Sequence, residues 1–216
     1  MKWMLNRFHW IFFLCVIFGL EMNAQTINYP RDRMILDVGF ERWDGAPDSY
    51  NERWYSNMVA LTIFKEWASK KNGLSIAIGG DVSWHHYHSD LYWDEKGQFN
   101  LREEGYTKNK ISTIYLDVPV EFRFRARRDK NGKYFRFYIG GKVGYNLKSW
   151  NTYITDDVKY KLYHSPGIQD FRYGVHARIG WSYVSVFAQY MVSPLYEEGS
   201  PVDVHPFSFG ISLMAF

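Results

Sequence analysis

The chain has 216 residues, a formal charge of +3 at pH 7, a single cysteine and 19% aromatic residues. So even a charge balance offers no electrostatic footprint for nucleic acid, and one cysteine cannot build a disulfide framework or a thiolate metal site. The aromatic loading suits cores, interfaces and the headgroup belts of membrane proteins.

The first element reads as a leader. Lys2 and Arg7 precede the apolar run WIFFLCVIFGL (Trp10 to Leu20), and MNAQ follows. This is the layout of a secretory signal peptide, residues 1–24, cleaved after Ala24, and the run is too short for a good membrane-spanning helix. Cys15 lies inside it, preceded by Phe-Leu rather than by the small residues of a lipoprotein acceptor. Residues 25–216 then form one domain with no cysteine, and no later stretch reaches 18 consecutive apolar residues.

From there the chain alternates with period two, the pattern of strands whose faces meet different surroundings. Arg33–Trp43 aligns Met34, Leu36, Val38 and Phe40; Trp54–Ala68 aligns Val59, Leu61, Ile63 and Trp67; Gly73–Trp84 aligns Leu74, Ile76, Ile78, Val82 and Trp84. IYLDVPVEFRFR (Ile114–Arg125) is the clearest case: Ile114, Leu116, Val118, Val120, Phe122 and Phe124 alternate with Tyr115, Asp117, Pro119, Glu121, Arg123 and Arg125. Tyr134–Leu147, Phe171–Trp181, Tyr183–Pro194 and Pro206–Phe216 complete eight predicted strands. In the last, Phe207, Phe209, Ile211, Leu213 and Ala215 make the stronger apolar phase, which leaves the facing of Phe216 open.

The strands are longer than the five or six residues usual in soluble sheets, and a tilted strand needs about 9–11 residues to cross a bilayer. Connections alternate in length. Long ones fall near residues 44–53, 85–109, 148–170 and 195–205; tight ones are SKKNG, RRDKNGK and the turn around Trp181–Tyr183. Asn72-Gly73 and Asn131-Gly132 are strong hairpin signals. This rhythm belongs to an up-and-down transmembrane barrel with long outer loops and short periplasmic turns, and a Greek-key sandwich gives no reason for it. The expected fold is therefore all-β: an eight-stranded antiparallel transmembrane β-barrel whose apolar faces meet lipid.

LDVPVEFRF (Leu116–Phe124), YIGGKVGYNL (Tyr138–Leu147), a late glycine-rich hairpin and the terminal phenylalanine resemble the outer-membrane β-barrel domain of Bacteroidetes called PorT-like. The Ala24-Gln25 junction is also common there. The resemblance covers most of the mature chain and implies a barrel in the outer membrane of a Gram-negative bacterium. The namesake branch is associated with a protein-secretion system.

An eight-stranded lumen is just wide enough for side chains to fill. The inward set includes Asp37, Glu41, Asp81, Asp117, Glu121, Arg123, Arg136, Lys142, Arg172 and Arg178, with both signs present. Asp117 and Glu121 are expected to pair with Arg136 and Arg172, and Pro119, which cannot donate a ladder hydrogen bond, to mark a bulge or local break. A proton path or acid/base pair is the sharper alternative to a polar plug, but nothing singles out one carboxylate. His85, His86 and His88, with Asp90 near, invite a metal reading; His86 and His88 would share a strand face and His85 the opposite one, so an aromatic interface segment is preferred. No Gly-x-Ser-x-Gly or phosphate loop occurs, and His164 or His176 beside a serine is the remaining enzymatic option. No catalytic, cofactor or metal residue is assigned, and no cofactor is expected. The expected function is a non-enzymatic scaffold, adhesin or accessory subunit, linked to secretion or envelope assembly. Its expected partners are outer-membrane lipid and, through extracellular loops, other envelope proteins. The alternatives are a soluble lipocalin-like barrel with an apolar ligand inside and an outer-membrane enzyme.

Overall fold

The computed structural model describes residues 32–46, 53–68, 73–93, 99–101, 108–126, 129–130, 133–154, 159–163, 167–200 and 202–215. The leader with Cys15, the hairpin residues Asn72, Asn131 and Gly132, and also His164 and Phe216, lie outside the described residues. The described elements are all strands: β1 (Met34–Asp44), β2 (Asn57–Ala68), β3 (Leu74–His88), β4 (Leu91–Trp93), β5 (Phe99–Leu101), β6 (Lys108–Arg125), β7 (Phe135–Ile154), β8 (Lys159–Tyr163), β9 (Phe171–Trp181), β10 (Val184–Met191) and β11 (His205–Ala215).

Eight of them close a barrel in the order β1-β2-β3-β6-β7-β9-β10-β11, every neighbour antiparallel. Closure comes from β1 pairing with β11 along its whole length, Met34 opposite Ala215 through Asp44 opposite His205. A closed ladder leaves no edge, which is what hydrocarbon requires of a spanning sheet. The remaining strands are accessory: β4 and β5 form a separate hairpin, and β8 extends the ladder on β7 from Trp150 to Ile154, beyond the point where β9 stops at Tyr145.

The alternating faces sort as a lipid-facing barrel demands. Along β6, Leu116, Val118, Val120, Phe122 and Phe124 are exposed, whereas Asp117, Glu121 and Arg123 are at most 1% exposed. The same inversion holds on β1, β9 and β11, and in β11 it is the Phe209, Ile211, Leu213 phase that points out. From Phe124 to Ile114 the outward apolar run covers ten residue steps, about 33 Å along the strand. Tilted by about 40°, that projects to about 25 Å, the height of an apolar band in an outer-membrane barrel. Exposed Trp67, Phe124, Phe137, Trp181 and Tyr183 cluster at the short-turn end, and Trp54, Tyr55, Trp84, Tyr145 and Phe171 at the other, two aromatic girdles of the expected kind.

Three strands run further than the sequence pattern predicted. β3 continues to His88, β6 begins at Lys108, and β7 reaches Ile154, so parts of the expected loops 85–109 and 148–170 are strand. Polar residues enter the outward phase there, His86 on β3, Lys110 on β6 and Lys148 on β7, which weakens the hydrophobic signal without ending the ladder. β7 also carries a bulge: Ile114 pairs with Lys148 but Tyr115 with Asn146, so Leu147 is extra. Its effect is a change of phase, with even-numbered Arg136, Tyr138 and Lys142 facing in before the bulge and Ser149 and Asn151 after it. At Pro119 there is no bulge. The β3–β6 ladder keeps its register but skips Gly79 and Gly80, which lie opposite Pro119 and Val118, so the predicted local break falls on the side where proline has no N–H to give. The β9–β10 turn is a two-residue loop whose first residue, Ser182, takes φ 56°, a position glycine usually fills.

Candidate functional site

Inward alternation delivers charged side chains to the lumen from β1, β2, β3, β6, β7 and β9, whereas β10 and β11 turn in neutral residues such as Ser185, Gln189, Ser208 and Ser212. All ten residues predicted to face inward are buried. Among the described residues, seven carboxylates (Asp32, Asp37, Glu41, Glu66, Asp81, Asp117, Glu121) meet six permanent cations (Arg123, Arg125, Arg136, Lys142, Arg172, Arg178) and two histidines, His85 and His176. Signs so nearly balanced allow each ion to be buried with a partner rather than alone, the condition for tolerable cost.

Nearest the short turns, Asp32 collects Arg125 at 3.1 Å, Arg136 at 3.1 Å and the Tyr138 hydroxyl, while Glu66 accepts from Arg123 at 2.9 Å and from Arg125. The Tyr138 ring lies under both Arg123 and Arg125, with guanidinium carbons 4.9 and 5.1 Å from its centroid, adding cation–π attraction to the pairs. In the middle, Arg178 bridges Asp37 (2.5 Å) and Glu121, and Glu121 also holds Arg123 (2.7 Å) and His176 (3.0 Å). Asp37 belongs to β1 and Arg178 to β9, which are not neighbours, so this bridge crosses the lumen. Higher up, Asp81 and Asp117 face each other across the β3–β6 ladder. The Lys142 ammonium sits between them, 3.6 and 3.8 Å away, and Arg172 clamps Asp117 with two bonds of 2.8 and 2.5 Å.

The expected partners of β6 are half right. Asp117 does meet Arg172, but Glu121 does not meet Arg136. The register sets Arg136 opposite Arg125 and Gly140 opposite Glu121, so Arg136 is carried to Asp32. Pairing register is invisible in a single strand's alternation. Asp32 and Glu66 were not foreseen: the first precedes its strand and so belongs to no alternating set, and the second stands on a strand read from its apolar face.

The three clustered histidines separate. His85 enters the lumen, His86 lies outside within 3.0 Å of the Ser112 hydroxyl, and the His88 ring lies tilted at 60° to the Tyr55 ring with centroids 4.7 Å apart. Among the described residues no three metal-ligating side chains converge. His176 serves Glu121 rather than a serine.

One arrangement has the order of a nucleophilic triad: Glu41 Oε1 is 2.6 Å from His85 Nδ1, and His85 Nε2 is 3.1 Å from Ser83 Oγ. The protons argue for a lock instead. Arg172 Nη1, which can only donate, lies 3.0 Å from His85 Nε2, so that nitrogen accepts and Nδ1–H donates to Glu41. Ser83 accepts from Arg172 at 2.7 Å and gives its one proton to Asp117 at 3.0 Å. Glu41, Ser83 and His85 are wholly buried. Above them Trp43, Tyr87, Ile111, Ile168, Leu195, Tyr196, Val202 and Val204 form an apolar cluster, the last five drawn from the connections and from no strand. Burial in it lifts the Tyr196 phenol pKa well above the usual value.

The profile of one protein family, described as the outer membrane protein β-barrel domain, matches residues 49–193. Neither the curated proteins nor the solved structures yielded a match. The match covers most of the chain and spans barrel strands from β2 through β10; with apolar residues outside and paired ions inside, the lipocalin-like alternative is set aside. The chain belongs to the outer membrane protein β-barrel domain family, and it is a small β-barrel of the outer membrane.

Proposed function

We propose that this barrel is a non-enzymatic anchor that holds its long connections outside the cell as a scaffold, adhesin or accessory subunit for other envelope proteins. One observation carries the reading: the lumen is crossed by ion pairs from end to end and covered by an apolar cluster. A lumen so filled favours rigidity over passage, since water-filled channels belong to much larger barrels. What remains free to act is the outer rim. Short turns lie on the periplasmic side in barrels of this class, which directs the connections after β1, β3, β7 and β10 outward. We place the chain, more finely, with the PorT-like barrels of Bacteroidetes on the segments Leu116–Phe124 and Tyr138–Leu147, and tie its role to protein secretion or envelope assembly.

The test is photo-crosslinking in intact cells from Trp54 and Glu198, in connections, against Val186 on the lipid face, together with planar-bilayer conductance. Discrete protein adducts from the two connections, none from Val186 and no conductance steps are expected. Stable single-channel steps, or connections that capture no protein at all, would overturn the reading.

A further inference from the structure

The outward face of β7 and β8 changes character just above the apolar band. Ile114 ends the band on β6, and its ladder partner on β7 is Lys148. One step higher Trp150 pairs with Tyr163, and the row above places Lys161 opposite Thr152. Both ammonium groups lie over both rings: Lys148 is 5.9 Å from the Trp150 centroid and 5.3 Å from Tyr163, and Lys161 is 5.0 and 4.8 Å from the same pair. Among the described residues neither lysine has a carboxylate within 4.0 Å, although every cation in the lumen has one. Two cations are thus held by aromatic rings at the height where hydrocarbon gives way to headgroups, with no carboxylate partner among the described residues. Cation–π contact orients an ammonium without neutralising it, and aromatic belts mark headgroup depth.

We propose that Lys148, Trp150, Lys161 and Tyr163 form a binding site for a phosphate-bearing lipid headgroup of the outer leaflet. The lipid's acyl chains lie along the apolar band below Ile114, the two ammonium groups engage the phosphate, and the rings floor the site. Continuity with the lipid-facing band favours a lipid over a soluble anion. The site rests on the orientation given above for biological sense, but binding in detergent does not depend on that orientation, so the two can fail separately.

The experiment uses the purified full barrel in neutral detergent, with diphosphoryl lipid A as probe and native mass spectrometry as readout. Wild type should retain the probe and not its dephosphorylated form. Each Lys→Gln change should weaken retention about five-fold, the contribution of one basic side chain at an anionic surface, and K148Q/K161Q together about 25-fold. K148R/K161R should retain it, and heat-dependent gel mobility should report an intact barrel throughout. Equal retention by K148Q/K161Q, equal loss in the short-turn control K130Q/K133Q, equal binding of dephosphorylated lipid A, or displacement by the same concentration of inorganic phosphate would each overturn the site.

Discussion

Arg178 offers a sharp way to weigh the lumen network, because its two carboxylates depend on it unequally. Asp37 has Arg178 at 2.5 Å as its cationic partner and otherwise the Ser212 hydroxyl at 2.5 Å. Glu121 keeps Arg123 at 2.7 Å and His176 at 3.0 Å when Arg178 is gone. Arg178→Gln therefore strands one buried carboxylate, and breaking a buried pair from one side costs about 3–5 kcal/mol. Asp37→Asn leaves Arg178 bound to Glu121, so it should cost less, about 1.5–3 kcal/mol for a lost charged hydrogen bond. The double variant removes the stranded charge and should recover at least about 1 kcal/mol relative to Arg178→Gln alone. Urea titration of the barrel in lipid vesicles, followed by tryptophan fluorescence in both directions, gives all four corners of the cycle. Two results would refute the reasoning: Asp37→Asn as costly as Arg178→Gln, or additive costs in the double variant.

Other expectations follow from the same geometry. Val118→Arg, at the middle of the outward run of β6, should cost roughly 2–4 kcal/mol, whereas Val118→Leu should be nearly silent in the same titration because lipid adapts to shape. A Cβ on Gly144 would overlap the Asp117 carboxylate, while one on Gly80 would meet nothing within 4 Å; Gly144→Ala should cost at least about 1–3 kcal/mol and Gly80→Ala less than about 0.5 kcal/mol. With Cys15 the chain's one cysteine, Glu198→Cys should react with an impermeant maleimide on intact cells and Lys130→Cys only after lysis; the reverse labelling would invert the proposed orientation.

The sequence carried the wall of this molecule more clearly than its interior. Period-two alternation is a property of one strand, so the facing of β1, β6, β9 and β11 could be read without knowing any neighbour. Which ions meet is a property of register between strands, and Arg136 went to Asp32 rather than Glu121 because no single strand records that offset. The Leu147 bulge is silent for the same reason, since YNLKSW shows only a blurred alternation where the phase changes. The cap is harder still: Ile168, Leu195, Tyr196, Val202 and Val204 come from connections with no period, and they become a cluster only when the barrel has brought its loops together. Alternation sets His85 on the face opposite His86, but its entry into the lumen and its lock with Glu41 needed both the facing and the register.

The question underlying all of this is whether the apolar face of β6 meets lipid. Spin labels placed one at a time from Ile114 to Arg125, with the barrel in vesicles, can be probed by oxygen, which partitions into hydrocarbon, and by a water-soluble nickel chelate. A lipid-facing strand gives high oxygen and negligible nickel accessibility at Leu116, Val118, Val120 and Phe122, with both quenchers shut out at Asp117, Glu121 and Arg123. Nickel reaching the even-numbered positions, or oxygen accessibility without a period of two, would contradict the inverted barrel.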